Sequence, residues 1–233
     1  MKRTSQRTAT TAAARQIGQR RLRVERLGRV PYAEGGGGLA RVGGDWRAGR
    51  APDTLLLLEH PHVITLGTSA DRAHILVDDA EATLLGLDIF ETGRGGDVTY
   101  HGPGQLVGYP ILDLKPDRCD LHQYVRDLEE VLIRALAASG IEAGRKQGLT
   151  GAWVGSQKIA AIGVRVSSGW ITSHGFALNV STDIAFFDSI VPCGIRDRGV
   201  CSMESLLERE VRMEEVEGRV TSAFREVFDS PAY

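Results

Sequence analysis

Twelve consecutive residues, Arg94-Gly95-Gly96-Asp97-Val98-Thr99-Tyr100-His101-Gly102-Pro103-Gly104-Gln105, constrain this chain more than any other stretch. Four glycines, a proline and six strong hydrogen-bonding side chains fill them, and apolar strand-like segments flank them. Such a run buries little apolar area and forms no regular helix. It suits either a surface hairpin or a loop whose bare backbone brings main-chain N–H groups close to a ligand. Two later features, Lys158 and Cys193, favour the second.

With 233 residues, 42% hydrophobic and 25% charged, the chain has the balance of an ordinary globular protein with a sizeable core. The longest apolar stretch, around Leu55–Leu58, is too short to span a membrane. A net charge of −2 gives no reason to expect nucleic acid as a partner. Only four lysines occur (Lys2, Lys115, Lys146, Lys158), against many arginines, so each lysine is conspicuous. Three cysteines (Cys119, Cys193, Cys201) make no even-numbered disulfide framework and no CxxC pair, which favours free thiols in a reducing compartment. No metal-ligand spacing occurs: His60-Pro61-His62 is the nearest pair and has no cysteine beside it. The first 24 residues carry seven Lys/Arg and no acid. Residues 1–20 read as a disordered basic leader, although an organellar transit peptide has a similar composition.

Periodicity orders the rest. Leu22–Val30 alternates as a strand, and six glycines within Glu34–Gly44 make a helix there weak. Thr54–Glu59 is a continuous apolar run, the pattern of a strand buried on both faces. Strands are expected at Val63–Gly67, Asp88–Thr92, Gln105–Leu114 and Trp170–Val180, and a hairpin joins Thr150–Val154 to Lys158–Ser167 around Gly155-Ser156-Gln157. Helices are expected at Val77–Leu85, Ser202–Glu210 and Glu214–Phe228. The clearest is Leu121–Ser139, with apolar residues at helical spacing and Gly140 as its stop. No repeat or linker interrupts the pattern, so residues 21–233 read as one α/β domain with a mixed sheet.

Cys193 lies in Val191-Pro192-Cys193-Gly194, where proline fixes the approach and glycine clears space around the sulfur. A cysteine nucleophile needs thiolate, and at the ordinary thiol pKa of about 8.5 only about 3% is ionised at neutral pH. An ammonium about 4 Å away contributes on the order of 4 kcal/mol at an effective dielectric of about 20. Lowering the pKa by about 1.5 units takes about 2 kcal/mol, so one well-placed lysine suffices. Lys158, opening Lys158-Ile159-Ala160-Ala161-Ile162-Gly163-Val164, is the candidate. Ser173-His174-Gly175-Phe176 is a third element, where a His-Gly step can present backbone N–H groups to an oxyanion. Cys119 in a charged turn and Cys201 before a helix read as structural.

Taken together, Arg94–Gln105, Lys158–Val164, His174–Asn179 and Pro192-Cys193-Gly194-Ile195 resemble the lipoyl(octanoyl) transferases, the lipoate–protein ligase B family. The match runs in the family's order from about Leu55 to about Leu207. It implies an α/β (α+β) fold: a single mixed-sheet domain of the biotin/lipoate protein ligase catalytic type, acting as a cytoplasmic monomer without a cofactor, metal, nucleic acid or membrane. The implied donor is octanoyl-acyl carrier protein. The implied acceptors are lysines of lipoyl domains, in 2-oxo-acid dehydrogenase complexes and the glycine cleavage H protein. By position, Cys193 corresponds to the acyl-thioester nucleophile and Lys158 to the lysine assisting it. Arg94, Gly95, Gly96, Asp97, Val98, Thr99, Tyr100, His101, Ala161, Ile162, Gly163, His174, Gly175 and Phe176 correspond to the substrate pocket. The chain departs from the family where Gly35–Gly38 and Gly43-Gly44 replace a helix after the first strand.

Three other readings share parts of this set. An ATP-dependent lipoate or biotin-type ligase on the same fold would use the Gly-rich run and the lysine but not need the Pro-Cys-Gly nucleophile. A thioesterase would hydrolyse the same acyl-cysteine. A non-catalytic module would hold carrier protein and be indifferent to Cys193→Ser.

Overall fold

The computed structural model describes residues 22–33, 52–191 and 199–229. The expected leader, the glycine-rich departure at 34–44 and Cys193 lie outside them. Seven strands form the main sheet, in spatial order β1 (Arg23–Arg29), β2 (Thr54–Glu59), β6 (Gln105–Ile111), β10 (Thr172–Asn179), β9 (Gln157–Val166), β8 (Leu149–Val154) and β7 (Gly144–Lys146). β1 and β2 are parallel and the other neighbours antiparallel, so the sheet is mixed. A second, three-stranded sheet has the order β4 (Asp88–Glu91), β3 (Val63–Leu66), β5 (Val98–His101).

β2 shows why an unbroken apolar run was needed. Leu55 and Leu57 join the core beneath the helices, while Leu56 and Leu58 join a second cluster with Val107, Tyr109 and Ile111. Successive side chains point to opposite faces, so a strand covered on both sides has no polar position. Each fully buried leucine contributes about 1.5–3 kcal/mol. The helix-side core is closed by α2 (Leu121–Ala137) and α4 (Met213–Phe228), with α1 (Asp79–Leu84) and α3 (Met203–Leu207) as short pieces.

Asp120 caps α2, accepting from the His122 and Gln123 N–H groups, and Tyr124, Leu128, Val131, Leu132, Ala135 and Leu136 are buried along one face. The same helix carries two buried carboxylates. Asp127 pairs with Arg118 at 2.6 Å, and Arg118 donates to the Val227 carbonyl of α4 at 3.0 Å. Glu129, fully buried, accepts from Arg126, Arg145 and the Gly151 N–H.

Several expected boundaries move for local reasons. The middle of the Gly-rich run is strand, not loop: Val98–His101 pairs with Val63–Leu66. The hairpin turn is Gly155-Ser156 alone, because Gln157 pairs with Val154 and Gly155 supplies φ +55°. α1 starts only after Asp78, which forms a capping box with Glu81. α3 stops at Leu207 instead of reaching Glu210, since Glu208 takes a left-handed φ of 51°. Among the described residues, no helix is long and apolar enough to cross a membrane.

β6 and β10 pair Gly108 with Phe176, and a Cβ on Gly108 would stand 2.1 Å from the tip of that ring. Gly108→Ala is expected to lower stability by about 1–3 kcal/mol, read by chemical denaturation, and Phe176→Leu in the same chain to return part of the loss.

Candidate active site

A small cavity of about 60 Å³ lies where the two sheets meet. Its wall takes Val98, Thr99 and His101 from β5, Tyr109 from β6, Ala161, Ile162 and Gly163 from β9, and His174, Gly175, Phe176 and Ala177 from β10. Arg94, Gly95, Gly96 and Asp97 complete it with Tyr32. Five separated stretches of sequence thus share one cavity.

Tyr100 does not line it. Neighbouring β5 residues face opposite ways, and Tyr100 is buried in the small-sheet core, stacked on Phe186, with its hydroxyl 2.8 Å from His62 Nδ1. Tyr32, Tyr109 and Ala177 are lining residues that the sequence reading did not single out. The Gly108-Tyr109-Pro110 stretch carried a faint signal, a phenol placed inside an apolar strand. Tyr32 carried none.

The glycines serve a close approach of backbone to backbone. The Gly95 N–H donates to the Val164 carbonyl at 2.9 Å, and a Cβ on Gly163 would stand 2.9 Å from the Gly95 carbonyl. The Gly95 amide is therefore engaged by β9 rather than offered to a ligand.

Arg94 is buried and donates to the Thr65 carbonyl (2.6 Å), the Thr65 hydroxyl (2.9 and 3.1 Å) and the Gly95 carbonyl (3.1 Å). Its charge acts on the nearby rings. His101 is pushed down to about 3 by burial, reinforced by His60 and Arg94. His174 is pushed down to about 4 by burial and then by Arg94 and Arg165. Burial also lowers His60 and holds Tyr109 well above the usual phenol range. At neutral pH these rings are uncharged.

Their hydrogen bonds set the tautomers. Gln105 Nε2 donates to the Asn179 side-chain oxygen (3.0 Å) and the Tyr100 carbonyl (3.2 Å), so its own oxygen accepts from His101 Nδ1 at 2.7 Å. Asn179 then donates to the Cys201 carbonyl at 3.0 Å, and the Cys201 N–H donates to the Lys158 carbonyl at 3.1 Å. His60 Nδ1 donates to the Val30 carbonyl (2.7 Å), which leaves Nε2 to accept from the Tyr109 hydroxyl (2.8 Å). A directed chain of bonds therefore joins the cavity wall to the strand carrying Lys158.

Lys158 is half-buried near the start of β9, and its N–H donates to the Gly199 carbonyl at 3.0 Å. Cys193 lies in the segment 192–198, outside the described residues. The described residues on either side of it are held. The Val191 N–H donates to the His74 carbonyl at 2.8 Å, and His74 Nδ1 lies 2.6 Å from the Asp97 carboxylate of the cavity wall. The far end, Gly199–Cys201, is bonded to Lys158 on both sides of its backbone. Of the other cysteines, Cys119 is exposed, while burial pushes the Cys201 thiol up to about 11, so that Cys201 does not suit a thiolate at neutral pH.

The cavity histidines predict acid sensitivity. In the unfolded chain each takes up a proton near pH 6.5, while in the fold it does so only at much lower pH. Below about pH 6.5 the unfolded state binds more protons, so stability is full above that pH and falls as pH drops toward 4. Melting temperature against pH is expected to show this decline. His174→Asn, which suits the left-handed φ of 57° at that position, is expected to make it shallower.

The family model described as the lipoyl protein ligase A/B catalytic domain matches residues 44–225. An octanoyltransferase of Rubrobacter xylanophilus is 53% identical over 212 residues, covering 90% of this chain and 95% of that protein. An octanoyltransferase of Solibacter usitatus is 52% identical over 206 residues, covering 88% and 92%. Among solved structures, lipoate-protein ligase A bound with ATP superposes with a TM-score of 0.70 at 20% identity, covering 89% of this chain and 85% of the other. The biotin protein ligase of Aquifex aeolicus in complex with biotin and ATP superposes with a TM-score of 0.54 at 15% identity, covering 88% and 69%. At such identities the structural likeness speaks to the fold alone.

Proposed function

This chain belongs to the lipoyl protein ligase A/B catalytic-domain family and within it to the octanoyltransferases, which are acyltransferases, and from that premise we propose that it moves an octanoyl group from octanoyl-acyl carrier protein to a lysine of lipoyl domains through an acyl-Cys193 intermediate. The observation carrying this reading is where the described residues on either side of 192–198 are held. One side is tied through His74 to the cavity wall at Asp97, the other to Lys158. Cys193 is the second residue beyond Val191 in the sequence. The cavity's uncharged histidines, aliphatic residues and aromatic faces suit an apolar acyl chain.

The Cys193 thiolate attacks the thioester carbonyl carbon, the new carbon–sulfur bond forms, and the carrier's sulfur leaves with a proton from the Lys158 ammonium. The acceptor lysine amine then attacks the acyl-Cys193 carbon while Lys158 takes its proton, and Cys193 leaves as thiolate. The first step exchanges one thioester for another and the second turns a thioester into an amide, so neither requires ATP. The acceptors we propose are the lipoyl domains of 2-oxo-acid dehydrogenase complexes and the glycine cleavage H protein, and we assign the reaction to the cytoplasm. The relatives at about half identity are octanoyltransferases, whereas the solved ATP-bound ligase is only 20% identical, which favours transfer over adenylation.

Intact-protein mass spectrometry after mixing with octanoyl-acyl carrier protein, without ATP, is expected to show one added octanoyl group on Cys193. It should be absent from Cys193→Ser and pass to a lipoyl domain on addition. Lys158→Ala is expected to slow the reaction by about 100-fold or more. Transfer that appears only with ATP and free octanoate would sink the proposal.

A further inference from the structure

Two of the chain's four lysines share one indole. Lys158 Nζ lies 4.9 Å from the centroid of the Trp153 ring and Lys146 Nζ lies 5.2 Å from it. The sheet dictates this arrangement. Trp153 on β8 is the register partner of Lys158 on β9 and of Gly144 on β7, and Lys146 stands two residues further along β7. The pairing depends on a register shift between Ala152 and Trp153, which brings the indole opposite the lysine.

The rest of the setting is built around the Lys158 stem. Gly151, with φ +117°, leaves bare backbone beneath it: a Cβ there would stand 3.7 Å from Lys158 Cε and 2.4 Å from the Ala160 carbonyl. The Gly151 N–H is fixed by the buried Glu129 carboxylate at 3.0 Å. Trp153 itself is 3% exposed. An ammonium over a tryptophan face is attracted by the ring quadrupole, most strongly where water is kept away. A lysine stem otherwise has many rotamers open to it, and the ring selects among them.

We propose that Trp153 is a positioning residue for Lys158, holding its ammonium by a cation–π contact that Lys146 shares from the opposite neighbouring strand. The inference rests on the role given to Lys158 above.

The small number of lysines makes a direct test practical. In the full chain labelled with ¹³C,¹⁵N-lysine, the Nζ-adjacent methylene signals of Lys146 and Lys158 are expected to be displaced by the indole ring current relative to the other lysines. Lys146→Met and Lys158→Ala assign the signals. Trp153→Phe is expected to reduce the displacement and Trp153→Leu to abolish it. In octanoyl transfer, Trp153→Leu is expected to lower kcat about tenfold with KM for donor and acceptor little changed, and Trp153→Phe to recover most of the rate. A residue that served only the core would not produce that split or that rescue. Undisplaced Lys158 signals in the wild type overturn the proposal. So does a folded Trp153→Leu protein with wild-type kcat. If Trp153→Leu does not fold, Trp153→Phe decides: a reduced displacement with kcat below wild type supports positioning, and a reduced displacement with unchanged kcat overturns it. Wild-type transfer by Lys158→Ala would remove the catalytic role of Lys158, leaving the ring-current measurement to judge the contact by itself.

Discussion

The pairing of β6 with β10 is the contact on which the rest of the site depends. At one point along it Gly108 lies opposite Phe176, and the ring occupies the space a side chain would fill. At its end Gln105 lies opposite Asn179, and their buried amides bond directly. The first contact places an aromatic wall in the cavity. The second fixes His101 on one side and Cys201 on the other. Buried amides satisfied at both ends rigidify their surroundings, and losing one partner leaves the other unpaired at a cost of about 1–3 kcal/mol. The cavity wall and the strand bearing Lys158 are thereby joined through one hydrogen-bonded row.

Charge in the site follows from the same burial. Arg94 donates to neutral oxygens of Thr65 and Gly95, and burial first, with the Arg94 charge adding to it, holds His101 and His174 in their uncharged forms. Neutral rings and hydrocarbon leave little to compete with an apolar ligand for the space. The cation at Lys158 lies over the Trp153 ring near the start of β9, and the cavity lining takes residues further along that strand. The proposed acyl binding and the proposed proton handling thus fall on two stretches of one strand.

What the sequence alone determined was whatever repeats locally or is written in residue type. The Leu55–Leu58 run required a strand covered on both faces, and the spacing from Tyr124 to Leu136 required an amphipathic helix. The Gly-rich run excluded a regular helix, and the order of four motifs identified the family. Boundaries failed where a single side chain or dihedral decides, as at the Asp78 cap and the left-handed Glu208. Only the tertiary structure decided that Tyr32 and Tyr109 join the cavity while Tyr100 turns away, and that Trp153 meets Lys158. It alone decided which ring nitrogen of His60 and of His101 carries the proton. Those outcomes rest on partners far apart in the chain, such as Gln105 and Asn179, and on a one-residue register shift. A local pattern fixes which faces are apolar, but not which distant polar group will stand opposite.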